Sequence, residues 1–541
     1  MTDKLPLTTH DTTAVRVPLS TPTPTGPSRH NRSRQLRYLF ILVIIVLTLY
    51  HLSSHFAHHV KRVYDELRAV RESSFAKGPS LEELNRQHQT LLDRHHNSMN
   101  LVDSIEPEMI SLYADQVKVV LDLDRFTRTA TSPELPRDEV NKIIDSVADL
   151  RDSLFAKLFP YVAPGGGGSR SFDQLIDTFT RPKGIVIPCS DRYFRYALHL
   201  ITTLRTVHWT TLPILIVHAG PTDLSPESCN TLKSVSPNVD VLDLLFFFSE
   251  ALVGLLNGGW AIKPFALLAS PFRETILVDA DVVFMQDPAV LLQDPGYQET
   301  GTLFFRDREI FPADNAVHKW FEEVMQNRVP SAMLKKSRWW KDWASREEQE
   351  SGVVVVDKGR REVVLGMVFV GWFNTKKVRD EVTYKRTFGD KESYWIAFEL
   401  AGIPCDHLKY YFDPPFASTI GHLTYFKGSD GVSVPQMCSE HHLHLDRKRR
   451  PLWWNGSLFE DKRSPTSDYF LSTHYSHGTA DWATESEPWC MRSIKELDVI
   501  QLEEVKTIMG VGFDEVYSRV LGTAVQVDLR MKRCRSTGCG Y

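Results

Sequence analysis

The sequence predicts an α/β fold with a mostly parallel central sheet, preceded by a membrane-spanning segment and a helical stem. Three observations carry this reading. From Lys183 onward, apolar β-branched runs alternate with runs at helical spacing, as in strand–helix–strand units. One of those strands, Ile276-Leu-Val-Asp-Ala-Asp281, ends in two carboxylates where a parallel sheet places its ligands. A charge-free run, Tyr38 to Leu52, follows an arginine-rich segment near the N-terminus.

Composition agrees with a large globular head on a distinct N-terminal third. The chain has 541 residues and 42% hydrophobic content, ample for a sizeable core. A formal charge of −5 is nearly balanced, so no nucleic-acid partner is expected. All 12 Trp lie at or after Trp209 and all 7 Cys at or after Cys189, which puts a boundary near residue 180.

Residues 1–37 are polar, with Pro22, Pro24 and Pro27 among Ser and Thr, and read as a disordered cytoplasmic tail. Residues 38–54 read as a signal anchor. The uncharged run spans roughly 22 Å as a helix, short for a plasma membrane but suited to a thinner early secretory bilayer. Arg29, Arg32, Arg34 and Arg37 before it favour a cytoplasmic N-terminus. A cleaved signal peptide is the competing reading. The late start and the poor cleavage context of Ser53-Ser-His-Phe56 oppose it. Residues 55–180 read as a helical luminal stem. Ser80 and Glu83 make a capping box ahead of Leu84, Leu91 and Leu92, and Val140, Ile143, Ile144, Val147, Leu150, Leu154 and Leu158 mark a second helix. Such helices offer a route to a homo-oligomer, and part of them could pack on the head.

Residues 181–541 form the head. Gly184-Ile-Val-Ile-Pro188 predicts a strand, and Phe194, Ala197, Leu198, Ile201 and Leu204 share one helical face. Leu212 to His218 and Val239 to Leu242 predict further strands. Trp260 to Leu268 predicts a helix feeding the acid-tipped strand.

The two acids, Asp279 and Asp281, need solvent or a cation, because an unpaired buried carboxylate is costly. Carboxylates at i and i+2 of a strand end can reach one hard cation. The bland alternative is a pair capping the turn at Met285-Gln-Asp-Pro288. Spacing alone does not decide: Asp122-Leu-Asp124 has it too, in a polar stretch where both acids read as solvated surface.

Gly259-Trp-Ala-Ile-Lys-Pro-Phe-Ala-Leu-Leu268, Ile276-Leu-Val-Asp-Ala-Asp281 and Asp287-Pro288 together resemble the fungal Golgi α-mannosyltransferases of glycosyltransferase family 71. The likeness continues through Thr300 to Arg308, Glu350-Ser-Gly352 with Asp357-Lys358, Gly389 to Trp395, Leu443-His-Leu-Asp446 and Pro451 to Asn455. It covers roughly residues 180–460 and leaves out the tail, the stem and the last 60 residues. The resemblance implies a GT-A-like nucleotide-sugar fold, a Golgi type II membrane protein with its catalytic domain luminal, GDP-mannose as donor, Mn²⁺ as cofactor, and retention of configuration. The acceptor it implies is a mannose-containing glycan or glycoprotein, with α-1,3 linkage favoured over α-1,2. The alternatives are a UDP-sugar donor on the same fold, or a non-catalytic Golgi membrane protein.

A divalent ion on Asp279 and Asp281 would neutralise charge developing on a leaving diphosphate. His444, in the Leu-His-Leu-Asp context, is the candidate imidazole ligand, with a solvated basic loop as its bland reading. Lys263 could reach a donor phosphate, and Trp260 could stack on a sugar or base unless it is core. Asp307 and Arg308 either pair locally or bind substrate. Asp390 and Glu392 are the acids expected around the reacting sugar. Asp390 could be a β-face carboxylate or, as favoured, hold donor hydroxyls, and it could equally be a helix N-cap. A luminal location favours disulfides among the cysteines, and Asn455-Gly-Ser457 is a usable N-glycosylation sequon, whereas Asn31-Arg-Ser33 should be silent.

Overall fold

Alternating apolar residues in the central strands are buried on both sides, so the sheet that they form sits in the middle of the head. The computed structural model describes residues 105–129, 137–162, 171–307, 315–326, 328–341, 347–403, 417–427, 431–439, 441–464, 466–476, 490–491, 499–501 and 512–537. The tail, the signal anchor and the capping box at Ser80 lie outside them, as does Arg308. Among the described residues no helix is long and apolar enough to cross a membrane.

The main sheet runs in the order β3-β2-β1-β4-β7-β6. These strands are β1 (Arg181–Pro188), β2 (Ile214–His218), β3 (Val239–Asp243), β4 (Phe272–Val278), β6 (Thr302–Arg306) and β7 (Gln349–Asp357). β1 pairs in parallel with β2 and β4, and β2 in parallel with β3. β7 is antiparallel to both β4 and β6, which makes the sheet mixed, with one reversed strand. Val186, Leu277, Val354 and Val356 face one apolar layer. Ile185, Ile187, Ile276, Val278, Val353 and Val355 face the other. Covering both faces is what permits four parallel neighbours. Gly184 matters here, because a Cβ would stand 2.5 Å from the Phe272 ring on the adjacent strand.

A second, antiparallel sheet packs alongside. Its path includes β9 (Ser433–Cys438), β8 (Ala417–Lys427), β10 (His442–Leu445), β11 (Pro451–Asn455) and β5 (Val282–Phe284). β5 starts one residue after Asp281, so the acid pair lies where the chain leaves one sheet and enters the other. The register sets Asn455 opposite both Val282 and His442.

The helices of the expected stem belong to this domain wherever they are described. Helix α1 (Pro107–Thr129) and helix α2 (Arg137–Leu158) line the first apolar layer through Ile110, Val117, Leu121, Phe155 and Leu158. Tyr113 of α1 stacks on Trp372 of helix α5 (Arg361–Phe373), ring centroids 4.1 Å apart. The boundary expected near residue 180 therefore does not separate stem from head here. The solvated reading of Asp124 is also overturned: its carboxylate is fully buried between Arg151, Arg361 and Arg128. Sequence polarity misled because α1 pairs its charges with those of other elements.

Three more helices position the site. Helix α3 (Phe194–Thr206) packs under β5, α4 (Ile262–Ala269) precedes β4, and α6 (Lys391–Ala401) starts beside Asp390. The long C-terminal helix α7 (Phe513–Thr537) is fixed to α3 through Asp528, which accepts from Arg195 and meets His199 at 2.9 Å.

Candidate active site

The end of β4 is held in place by its neighbour. Asp279 donates its backbone N–H to Gly352 O at 2.8 Å, extending the β4–β7 ladder one residue past the strand. Ala280 then turns, and Asp281 O accepts from Ser457 N at 2.7 Å, tying the pair to the loop after β11. This puts both acids at the edge where β1 and β4 flank the reversal in strand order, the place where open α/β sheets leave a crevice.

Each acid meets a lysine. Lys263, nearly buried on α4, reaches Asp279 and Asp390 at 3.3 Å each and donates to Ser351 Oγ at 2.7 Å. Lys462 reaches Asp281 from the loop beyond β11. Burial pushes the Asp279 carboxyl up to about 7, with Lys263 pulling it down and Asp281, Asp390 and Glu350 pushing it further up. Burial raises Asp390 too, against the pull of Lys263. Lys263 and Lys462 are both held above the usual ammonium range, since burial is outweighed by the carboxylates they face. The crevice thus gathers more acid than its lysines offset. Such a hard oxygen set suits a divalent ion of the Mg²⁺ or Mn²⁺ kind.

Asp390 occupies the N-cap position of α6, but its side chain makes no cap bond. It turns instead to Lys263 and to Ser351 Oγ, which donates at 3.4 Å. Glu392 is placed differently. It is buried and accepts from the backbone N–H groups of Glu348 and Gln349 at 2.9 and 3.3 Å and from the Trp395 indole. Burial pushes its carboxyl up to about 8. This geometry makes Glu392 a holder of the β7 entry.

Further acids line the adjoining wall. Asp307, just past β6, meets Lys391 at 2.6 Å and the His442 ring at 3.4 Å. Glu350 of β7 accepts from Gly352 N at 2.7 Å and from Asn455 Nδ2 at 2.9 Å. Burial opposes the charged form of Glu350, yet His442, Lys391 and His444 together hold it well below the usual range. Asn455 therefore points inward at an acid, and Ser457 is buried, a placement with no room for a glycan on the sequon.

His444 is buried and stacked on Trp453 at 4.0 Å, with the Phe305 ring edge-on at 5.0 Å. His442, two residues earlier on the same face of β10, is set against both Asp307 and Glu350. Trp260 is 49% exposed beside Phe388, centroids 5.2 Å apart, rather than in the core. The thiols of Cys189 and Cys229 are free, so the disulfide expectation does not hold for them.

Ser351, Glu350, Lys391, His442 and Lys462 went unassigned in the sequence reading. Glu350 and Lys391 stand inside quoted motifs, and their charge beside Ser351 and Asp390 was the available signal. Lys462 had none, since only the fold brings it to Asp281.

Comparisons with known proteins agree with the motif reading. A family model described as "Mannosyltransferase putative" matches residues 182–446. A Candida albicans relative named "Putative alpha-1,3-mannosyltransferase MNN15" is 27% identical over 347 residues, covering 54% of this chain and 43% of that protein. The Saccharomyces cerevisiae protein named "Alpha-1,3-mannosyltransferase MNT2" is 26% identical over 330 residues, 54% of this chain and 55% of its own length. The chain thus spans about half the length of the curated relatives it matches. A solved structure titled as mouse xyloside xylosyltransferase 1 matches 43% of this chain and 85% of its own, at 12% identity and a TM-score of 0.28, too low to carry an argument. By its matched segment, its ordered motifs and these relatives, the chain is similar to the mannosyltransferases that this model describes.

Proposed function

We propose that this chain transfers mannose from GDP-mannose to a mannose-containing glycan or glycoprotein with retention of configuration, forming an α-1,3 linkage. The observation that carries the reading is the placement of Asp279 and Asp281 at the strand-order reversal, in a crevice where acids exceed lysines. The matching mannosyltransferase family model and relatives named for α-1,3 transfer support the sugar and the linkage. The mixed sheet, with one reversed strand beside the acid-bearing β4, is what a GT-A-like fold would present.

Asp279 and Asp281 are the residues that would hold a divalent ion, Mn²⁺ by preference, and that ion would neutralise the diphosphate as it leaves. Lys263 holds Asp279 and Asp390 in one orientation. Asp390 leans on that lysine and on Ser351 rather than capping α6, and in this reading it would be the acid that holds donor hydroxyls. In a front-face transfer the leaving phosphate takes the acceptor proton, so no further base is required of the protein. The segment 38–54 supports a type II orientation in the Golgi membrane, and glycan attached to Asn31 would refute that topology.

The test is a donor panel on the purified chain with Mn²⁺ and mannoside acceptors, with linkage read by methylation analysis. Turnover of GDP-mannose that falls by at least roughly 100-fold in Asp279→Asn supports the reading. Turnover of a UDP-sugar alone, or full activity in that variant, refutes it.

A further inference from the structure

We infer that Asp307, Glu350 and His442 form a second cation site, beside the Asp279/Asp281 pair, for a first-row divalent metal ion. One oxygen of each carboxylate and one imidazole nitrogen lie within 4.8 Å of one another. The three residues come from three elements: the end of β6, β7, and β10 of the second sheet. The cluster closes without Asp279 or Asp281, which have their own lysine partners.

The distances favour a cation over direct bonds. His442 Nδ1 stands 3.4 Å from Asp307 Oδ1 and 3.7 Å from Glu350 Oε2. A charge-assisted N–H···O bond would draw these atoms to about 2.7–2.9 Å. Ligand atoms around a cation at about 2.1 Å stand about 3.0–3.4 Å apart, in octahedral or tetrahedral array. The two gaps to the imidazole nitrogen are close to that spacing.

His442 supplies an independent reason. It is 2% exposed, and among the described residues neither ring nitrogen has a hydrogen-bond partner. A buried ring with neither nitrogen hydrogen-bonded is destabilising, so the fold has reason to place a ligand against it.

The outer oxygens are already fixed. Lys391 holds Asp307 Oδ2 at 2.6 Å, while Gly352 N and Asn455 Nδ2 hold Glu350 Oε1 at 2.7 and 2.9 Å. These bonds aim Oδ1 and Oε2 at the ring, as outer-shell partners do in metal sites. Two carboxylates and one imidazole suit Mn²⁺ or Zn²⁺ better than Ca²⁺. Such an ion would tie the second sheet to the first at the rim of the crevice.

The experiment uses the full chain stripped with chelator and carrying Asp279→Asn with Asp281→Asn, so that the donor pair cannot contribute. Mn²⁺ and Zn²⁺ are titrated by calorimetry, and bound Mn²⁺ is examined by pulsed electron paramagnetic resonance for nitrogen coupling. The expected result is one ion per chain with a histidine nitrogen signature, and a melting temperature raised by roughly 5 °C at saturation. Adding His442→Gln should remove the nitrogen coupling and weaken binding at least tenfold. Should that variant fold poorly, Asp307→Asn serves instead, with the same loss of affinity expected. No ion bound in the double variant, or binding unchanged by both further substitutions, overturns the site. Failure of GDP-mannose transfer in the wild type leaves this result untouched, so the two readings fail separately.

Discussion

Two pairs of aspartates in this chain share one spacing and have opposite surroundings. Asp122 and Asp124 lie on α1, and Asp279 and Asp281 follow β4. Asp122 is a partly exposed surface acid bonded to Lys118 at 3.0 Å. Asp124 is fully buried, but arginines from α1, α2 and α5 surround it. Asp279 and Asp281 share their crevice with Asp390 and Glu350, and among the described residues Lys263 and Lys462 answer them directly. Burial is therefore not the difference. A compensated acid is a structural joint, whereas acids left in excess are the arrangement that the proposed cation would answer.

The sharpest way to break this contrast is to neutralise one acid of each pair. Asp279→Asn should lower transfer by roughly 100- to 1,000-fold, the usual loss when one electrostatic stabiliser of a transition state is removed. Its melting temperature should hold or rise, because the neutral amide relieves a carboxyl that burial already pushes up to about 7. Asp124→Asn should do the reverse. It leaves Arg151 and Arg361 short of a buried partner, a loss of about 3 kcal/mol. Calorimetry should show a clear drop in melting temperature, with turnover per folded molecule unchanged. Equal stability losses in the two variants would remove the distinction.

A third acid extends the comparison to pH. Burial works against the Asp528 carboxylate, but Arg195, His199 and Tyr469 outweigh it and hold it well below the usual range. A depressed carboxyl contributes its stability above the unfolded value, near 3.9, and loses it as pH falls through that value toward the folded one. The melting temperature should therefore fall more steeply below about pH 4 in the wild type than in Asp528→Asn. Parallel profiles for the two proteins would mean that Asp528 does not anchor α7 to α3.

Much of this was legible in sequence because it rests on local pattern. The strand before Asp279, the helix bearing Lys263 and the start of α6 at Asp390 follow from apolar periodicity. What escaped was pairing across long separations. Asp124 read as surface because its partners Arg151 and Arg361 lie 27 and 237 residues away. His442 and His444 share one strand face and one local pattern, and only the neighbouring elements decide which meets Asp307 and which lies on Trp453. Glu392 looked catalytic by its company with Asp390, but the helix turns it toward the β7 backbone.

The smallest expected effect concerns a group at the rim with no charge to balance. Trp260 and Phe388 are exposed large aromatics, 49% and 59%, on segments that also carry Lys263 and Asp390. Gly389, next to Phe388, has φ +73°, and a Cβ there would come within 2.8 Å of the Trp260 ring, so the turn is shaped around the indole. An exposed ring held this way offers a flat face to a sugar or base, worth about 1 kcal/mol. Trp260→Ala should raise the donor KM about fivefold, the equivalent of that energy, with kcat within about twofold. Trp260→Phe should recover most of the loss, because stacking needs a face and not an indole N–H. A fall in kcat at constant KM would instead make Trp260 a support for Lys263 and Asp390, and would move it into the acid cluster's own account of activity.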